Sequence, residues 1–172
     1  LREQDAYEIL ATYVEDGDEG FGMFDMPKLF RDGAVIPREA PHDRFASGAY
    51  HRVPVILGSN RDEQKLFLSA DPEHVQRILG LYPRLRDPER YQIISDYMSR
   101  AWKANSVDEF ARRMRPIQGP TVFAYRFDWD EEPSLLGADL SQLIGAAHLL
   151  EVPFVFAHWN LGPRTDLLFD EA

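Results

Sequence analysis

Two stretches of this chain carry side chains that could do chemistry together. The segment GAAHLLEVPFVF, residues 145–156, sets one histidine, His148, among small and apolar residues, with a carboxylate, Glu151, three positions on. Imidazole titrates near neutral pH and is the commonest general base. Upstream, residues 53–67 read VPVILGSNRDEQKLF: an apolar run, then Gly58-Ser59-Asn60, then Arg61-Asp62-Glu63. A carboxylate just past a buried strand lies at the C-terminal edge of its sheet, where open α/β sheets place their sites. There it can accept an imidazole N–H, fix the tautomer and stabilise the imidazolium that forms. An acid after a strand, followed later by a histidine, is the chain order of two members of a hydrolytic triad. The plainer alternatives are that Glu63 is a surface-loop acid beside Asp62, and that His148 is a core histidine satisfied by a backbone carbonyl.

The third member of such a triad is not visible. A nucleophile elbow reads G-x-S-x-G on a strained strand-to-helix turn. Ser47 in FASGAY, Ser59 in LGSNR and Ser141 in ADLSQL are better read as turn or cap residues. A Gly-rich oxyanion loop is missing, as are the phosphate-cradling G-x-G-x-x-G and G-x-x-x-x-G-K patterns. His42, His51 and His74 sit in loop or helix-start surroundings, and His158 follows an apolar run expected to point inward. His148 and Glu151 also form an H-x-x-E pair, which on a helix would share one face. A metal site would need a second such pair and further carboxylates, so no metal is expected. Glu151 reads instead as a paired carboxylate shaping the pocket.

The elements that must hold these groups follow from pattern. Residues 3–13 place Ala6, Ile9, Leu10 and Tyr13 at helical spacing. Three glycines in EDGDEGFG break that helix, and Pro and Gly punctuate residues 21–48, where AVIP is a candidate short strand and the apolar FGMFDM is expected to lie against a core. Residues 53–57, VPVIL, read as a strand buried on both faces. Asp71-Pro72-Glu73 signals a short helix and Asp87-Pro88-Glu89 a longer one, each with Asp as cap and Pro at the first helical position. In the longer one Ile93, Ile94, Tyr97, Ala101 and Trp102 form the apolar stripe. Ser106 with Glu109 fits a capping box for a further helix to about Met114, ended by Pro116 and Gly119-Pro120. Residues 121–127, TVFAYRF, read as a second strand, and LGPRTDLLFDEA as the start of another element. The order is that of an α/β fold. Two strands do not make a stable covered parallel sheet alone, so either the pattern leaves further strands unseen or the chain is the C-terminal part of something larger.

The net charge of -10 argues against nucleic acid or an anionic membrane as partner. The 172 residues, 44% hydrophobic, suit a globular domain and contain no run long enough for a membrane helix. Zero Cys excludes disulfides and Cys-ligated zinc. With no visible signal pattern, this leans towards a reducing, cytoplasmic setting. A start at Leu1 points to a numbering that begins inside a longer chain.

Several segments, in order, resemble the C-terminal part of the type-B carboxylesterases, the cholinesterase-like branch of the α/β-hydrolases, in their bacterial wording. DGAVIPREAPHDRFASGAYHRVPVILGSNRDE resembles the family's run from a D-G-x-x-I-P turn through a strand to the triad acid. PTVFAYRFDWD resembles its next strand, and GAAHLLEVPFVF its G-x-x-H-G-x-E-x-P-x-V-F motif. The match spans roughly residues 25–157. The resemblance implies an α/β-hydrolase fold of mostly parallel sheet flanked by helices, present here only in its C-terminal portion. Residues 1–172 would then be a fragment of a single domain, inactive alone. Glu63 would be the triad acid and His148 the base; Glu151, Leu66 and Phe67 would belong to the substrate pocket. The implied activity is serine-dependent ester hydrolysis without metal or organic cofactor. Its partners would be a small-molecule ester and the N-terminal half of the same chain, which would carry the serine and the oxyanion loop. Two departures put bulk beside the site: Gln64 stands where the family has Gly after the acid, and Leu149 where it has Gly after the histidine. The competing readings are a non-catalytic relative used for binding or adhesion, and a free-standing binding module.

Overall fold

A computed structural model of the chain describes residues 4–11, 30–80, 82–135, 137–159 and 168–169. The chain divides into two compact units, Leu1–Ala40 and Pro41–Ala172. In the first, α1 (Ala6–Ala11) forms within the stretch expected to be helical. The glycine-rich break and FGMFDM lie outside the described residues. AVIP is not a strand. The Asp32 carboxylate accepts the N–H groups of Ala34, Val35 and Ile36 at 2.9–3.0 Å, and this fan of bonds folds the segment into successive bends. The same N–H groups hold the Asp32 carboxyl below its ordinary pKa.

The second unit opens with α2 (Pro41–Ser47). Strand β1 spans Val55–Asn60, so Gly58-Ser59-Asn60 belong to the strand itself and not to a turn after it. Gly58 has a local reason: a Cβ built there would lie 2.1 Å from the ring of Tyr125 on the paired strand. A short helix, α3 (Lys65–Ala70), follows. The Asp71-Pro72-Glu73 signal is a single turn and not a helix. Asp71 accepts the Glu73 N–H at 2.7 Å, and the chain then enters a hairpin, β2 (Val75–Ile78) and β3 (Tyr82–Leu85), in antiparallel register. Its turn needs left-handed backbone, which Leu79 and Gly80 supply with φ of 53° and 72°.

Helix α4 (Pro88–Lys103) begins as the sequence predicts. Asp87 caps it by accepting the Arg90 N–H at 3.0 Å, an interaction worth about 1 kcal/mol. Its buried stripe is Tyr91, Ser95 and Ser99, however, at four-residue spacing. Ile93, Tyr97 and Ala101 are exposed; Ile94 and Trp102 are half-buried. The predicted capping box at Ser106 does not form. One turn of π-helix, Ala104–Asp108, carries the chain straight into α5 (Glu109–Gln118), which runs through Pro116.

After a short 3₁₀ turn at Gly119–Thr121, β4 (Val122–Phe127) pairs in parallel with β1, from Val55 opposite Val122 to Asn60 opposite Phe127. This pair is the parallel sheet expected, with α4 packed against β1 and α5 against β4. The coverage expected on both faces is not present: Ile56 is 72% exposed, and Phe123 and Tyr125 are exposed beside it. The two-residue strands β5 (Ser134–Leu135) and β6 (Ala138–Asp139) pair antiparallel and lead into α6 (Leu140–Leu143). Val75, Leu140 and Leu143 form a small core with Leu85, Ile144 and Leu168. VPFVF, strand-like in composition, is a helix: α7 (Val152–Phe156), with Pro153 buried and Phe154, Val155 and Phe156 exposed. Most of LGPRTDLLFDEA lies outside the described residues. The architecture is thus α/β, mixing parallel and antiparallel pairs with helices. Among the described residues, no helix is long and apolar enough to cross a membrane.

Candidate active site

Parallel pairing places the C-terminal ends of β1 and β4 side by side; the turn leaving β1 and the loop between α6 and α7 build the site. Glu63 sits in the turn between β1 and α3, with only 4% of its surface exposed. Its Oε1 accepts the Asn60 N–H at 2.8 Å, and its Oε2 lies 2.7 Å from His148 Nδ1. The two residues singled out from the sequence, 85 positions apart, are therefore in contact. A carboxylate buried and bonded in this way has one rotamer to offer the ring. The imidazole itself stays accessible, its side chain one-third exposed.

The His148 loop is tied to the Glu63 loop at several points. The Asp62 N–H donates to the Ala146 carbonyl at 2.9 Å, and Asp62 Oδ2 accepts the Ala146 N–H at 3.2 Å. Asn60 Nδ2 donates to the Ala147 carbonyl at 2.7 Å and to Glu151 Oε2 at 2.5 Å. Glu151 is thus a partner of Asn60, and the helix face shared by His148 and Glu151 does not exist, because the loop turns between them. Leu149 makes that turn with φ of 75°, a left-handed backbone that costs a residue with a side chain about 1–3 kcal/mol. Leu149 thus carries a side chain on a backbone conformation that glycine adopts freely. Gly145 is equally constrained: φ is 51°, and a Cβ there would lie 2.8 Å from Asp62 Oδ2 and 3.1 Å from Lys65 Nζ.

Behind the tethers lies a charged cluster with Asp62, Lys65 and Glu132 buried and Arg61 and Asp130 partly exposed. Asp62 pairs with Arg61 at 2.8 Å and faces buried Lys65 at 3.5 Å; Arg61 also reaches Asp130 at 2.6 Å. Glu132 is 7% exposed, and among the described residues neither of its carboxyl oxygens has a hydrogen-bond partner. Burial pushes its pKa up to about 7, helped by the nearby charges of Asp130 and Asp62 against the opposing pull of Lys65 and its own backbone. The buried Tyr91 hydroxyl lies 2.7 Å from the Leu143 carbonyl and 3.2 Å from the Lys65 carbonyl, joining α4 to both loops. Burial, with the Asp62 charge, pushes that hydroxyl's pKa up. Tyr125 is likewise raised by burial and by the carboxylates of Glu151 and Glu63. Sequence reasoning missed the roles of Asn60, Asp62, Tyr91 and Glu132: the first three bond to groups about 50–90 positions away, and the burial of Glu132 follows no local pattern.

Of the predicted pocket residues, Phe67 is brought to the histidine, ring centroids 5.6 Å apart. Leu66 is half-buried on α3, where its carbonyl accepts from Ser69. The other histidines lie elsewhere: His42 stacks on Phe110, His74 sits edge-on to Tyr91, and His51 and His158 are exposed. The apolar run before His158 does not point inward as expected, since Phe154, Val155 and Phe156 are exposed. Ser59 is buried within β1, Ser47 ends α2 and Ser141 lies in α6. Among the described residues no group of three His, Cys, Asp or Glu side chains is arranged to hold a metal ion.

No protein-family model matches the chain. It is similar to the para-nitrobenzyl esterase of Bacillus subtilis (strain 168), 26% identical over 168 residues, a match covering 84% of this chain and 30% of that protein. It is also similar to the fumonisin B1 esterase of Sphingopyxis macrogoltabida, 29% identical over 157 residues, covering 80% of this chain and 26% of that protein. The chain spans less than a third of the length of these curated relatives. With a carboxylate-imidazole pair at the end of a parallel strand pair, these matches give the chain a distant, carboxylesterase-like relationship to bacterial esterases.

Proposed function

We propose that this chain supplies the base and the acid of a Ser-His-Glu triad in a serine carboxylesterase of the type-B, α/β-hydrolase kind. The nucleophile and oxyanion donors would come from the N-terminal part of a longer chain, and residues 1–172 alone would be inactive. The observation that carries this reading is the 2.7 Å contact between His148 Nδ1 and Glu63 Oε2, with Glu63 buried and fixed from behind by the Asn60 N–H. An ionised Glu63 can only accept, so the imidazole proton resides on Nδ1 and the Nε2 lone pair is free to take a proton. His148 then removes the serine proton as the oxygen attacks the ester carbonyl, and returns it to the departing alkoxide. A water repeats the sequence on the acyl-enzyme. Glu63 stabilises the imidazolium formed at each step. Phe67 beside the ring favours an apolar acyl or aryl ester as substrate. No cofactor enters this chemistry.

The test uses the full-length protein, a p-nitrophenyl ester and a fluorophosphonate probe. Turnover with the probe on one serine, reduced at least about a thousandfold in His148→Ala and Glu63→Gln but little in His158→Ala, supports the reading. A folded protein that neither labels nor turns over would make the domain a non-catalytic relative.

A further inference from the structure

Resting on the reading of His148 as the base, we infer that Trp102 is a positioning residue for His148, aimed at its ring by the π-helical turn that joins α4 to α5. Among the described residues the imidazole is held by one hydrogen bond, through Nδ1 to Glu63. A ring on a single bond retains freedom to swing about it, and the opposite nitrogen, which must meet the serine, moves furthest. Two aromatic rings limit that swing. Phe67 lies 5.6 Å from the imidazole at an interplanar angle of 35°, and Trp102 lies 5.5 Å away at 60°. Phe67 and Trp102 are themselves 6.2 Å apart, so the three rings close a triangle within the range where aromatic pairs attract.

The two walls come from different elements. Phe67 follows the acid by one helical turn and travels with it. Trp102 belongs to α4, which is anchored to the same loop: Ser99 Oγ accepts the Gln64 N–H at 3.2 Å, one residue past Glu63. Trp102 lies three residues after Ser99, on the same face. Counting about 3.6 residues per turn from buried Tyr91 keeps Trp102 inward. The same count continued unbroken would then turn Asn105, Glu109 and Arg113 inward. The π-turn prevents this. Its closing bond runs from the Glu109 N–H to the Ala104 carbonyl, five residues back, and it inserts one surplus residue. Beyond the turn the inward face moves on by one, from Glu109 and Arg113 to Phe110 and Met114, and the turn itself brings Val107 inward. Val107 and Met114 are buried, and Phe110 packs on Phe45 of α2. The surplus residue thus lets the second half of the helix bury its apolar side chains without rotating Trp102 off the histidine. A salt bridge from Lys103 to Asp108, 2.6 Å, spans the turn.

The test reads the ring contact and the catalysis separately in the full-length protein. By NMR, the His148 ring protons, assigned by their loss in His148→Gln, are expected to move back towards free-histidine positions in Trp102→Ala and to stay shifted in Trp102→Phe. In ester turnover, Trp102→Ala is expected to lower kcat about 10–100-fold with KM within about twofold, and Trp102→Phe to recover most of the loss. Unmoved His148 signals in Trp102→Ala would overturn the contact whatever the activity. Moved signals with unchanged kcat would overturn the positioning role. An inactive parent protein whose His148 signals still respond to Trp102 would instead count against the esterase reading alone.

Discussion

Asp62 and Ala146 exchange two hydrogen bonds across 84 positions of chain: the Asp62 N–H to the Ala146 carbonyl, and the Ala146 N–H to the Asp62 carboxylate. This reciprocal pair sits one residue before Glu63 and two before His148. It converts two surface loops into one rigid piece, so that the acid–base distance is set by backbone rather than by flexible side chains. Removing the carboxylate should be costly for a second reason, since buried Lys65 would lose the carboxylate that it faces at 3.5 Å. Asp62→Ala is expected to lose about 3–5 kcal/mol of stability by chemical denaturation, the usual result of breaking a buried pair. A loss under about 1 kcal/mol would mean that the loops are held by the Asn60 contacts alone.

Leu149 turns the His148 loop with a left-handed backbone while 49% of its surface remains exposed. Little packing is lost if its side chain goes, and the steric cost is relieved. Leu149→Gly is therefore expected to be neutral to about 1 kcal/mol stabilising, after allowing for the extra freedom glycine gives the unfolded chain. Leu149→Val, β-branched, should destabilise. The reverse in thermal melts, Leu149→Gly destabilising and Leu149→Val neutral or stabilising, would show that another interaction holds the turn.

Glu132 predicts a pH dependence with a definite sign. Unfolded, its carboxyl ionises near pH 4.5; folded, burial keeps it protonated until about pH 7. Between these values the unfolded chain gives up its proton first, so this group erodes stability as pH rises from about 4.5 to about 7. The stability it contributes in its neutral form is intact below that window and gone above it. Glu132→Gln removes the dependence. It should match the parent at pH 4 and exceed it by about 1–3 kcal/mol at pH 8, from roughly 1.4 kcal/mol per pH unit of separation. A variant less stable than the parent at pH 8 would mean that the ionised carboxylate is paired.

Gly58 is the point where β1 lets the Tyr125 ring lie across it. Gly58→Ala forces the ring, whose hydroxyl proton feels both Glu63 and Glu151, off the strand. The expected outcome is a loss of about 1–3 kcal/mol together with a changed Tyr125 signal in ultraviolet titration. An unchanged Tyr125 titration would show that the ring has room elsewhere.

The Glu63–His148 contact was legible because each residue sits in a local pattern: a carboxylate directly after an apolar strand, and a histidine in a small-residue loop. Helix α4 was legible for the same reason, as Asp87 and Pro88 fix its start within three residues. What failed was local signal that tertiary contacts reversed. Asp71-Pro72-Glu73 opens a turn as readily as a helix, and here Leu79-Gly80 closes a hairpin behind it. Val152–Phe156 has strand composition, yet forms a helix after Leu149 turns the chain. Ile93 and Tyr97 were assigned to the buried stripe because they are apolar, whereas the described face is built from Tyr91, Ser95 and Ser99, whose hydroxyls serve neighbouring backbone. Asn60, Asp62 and Glu132 were invisible, since a polar residue's role depends on which distant group it meets.

The surplus residue in Ala104–Asp108 also bears on how this helix tolerates changes of length. In a uniform α-helix, deleting one residue turns everything beyond it by about 100°. Here a one-residue deletion inside the π-turn would return the rod to uniform pitch, yet set its two halves against each other. Either the tryptophan would leave the histidine, or Val107 and Met114 would be turned towards water. Related chains one residue shorter between these points should then have changed the character of one face or the other, and a single gap would be enough to sort them.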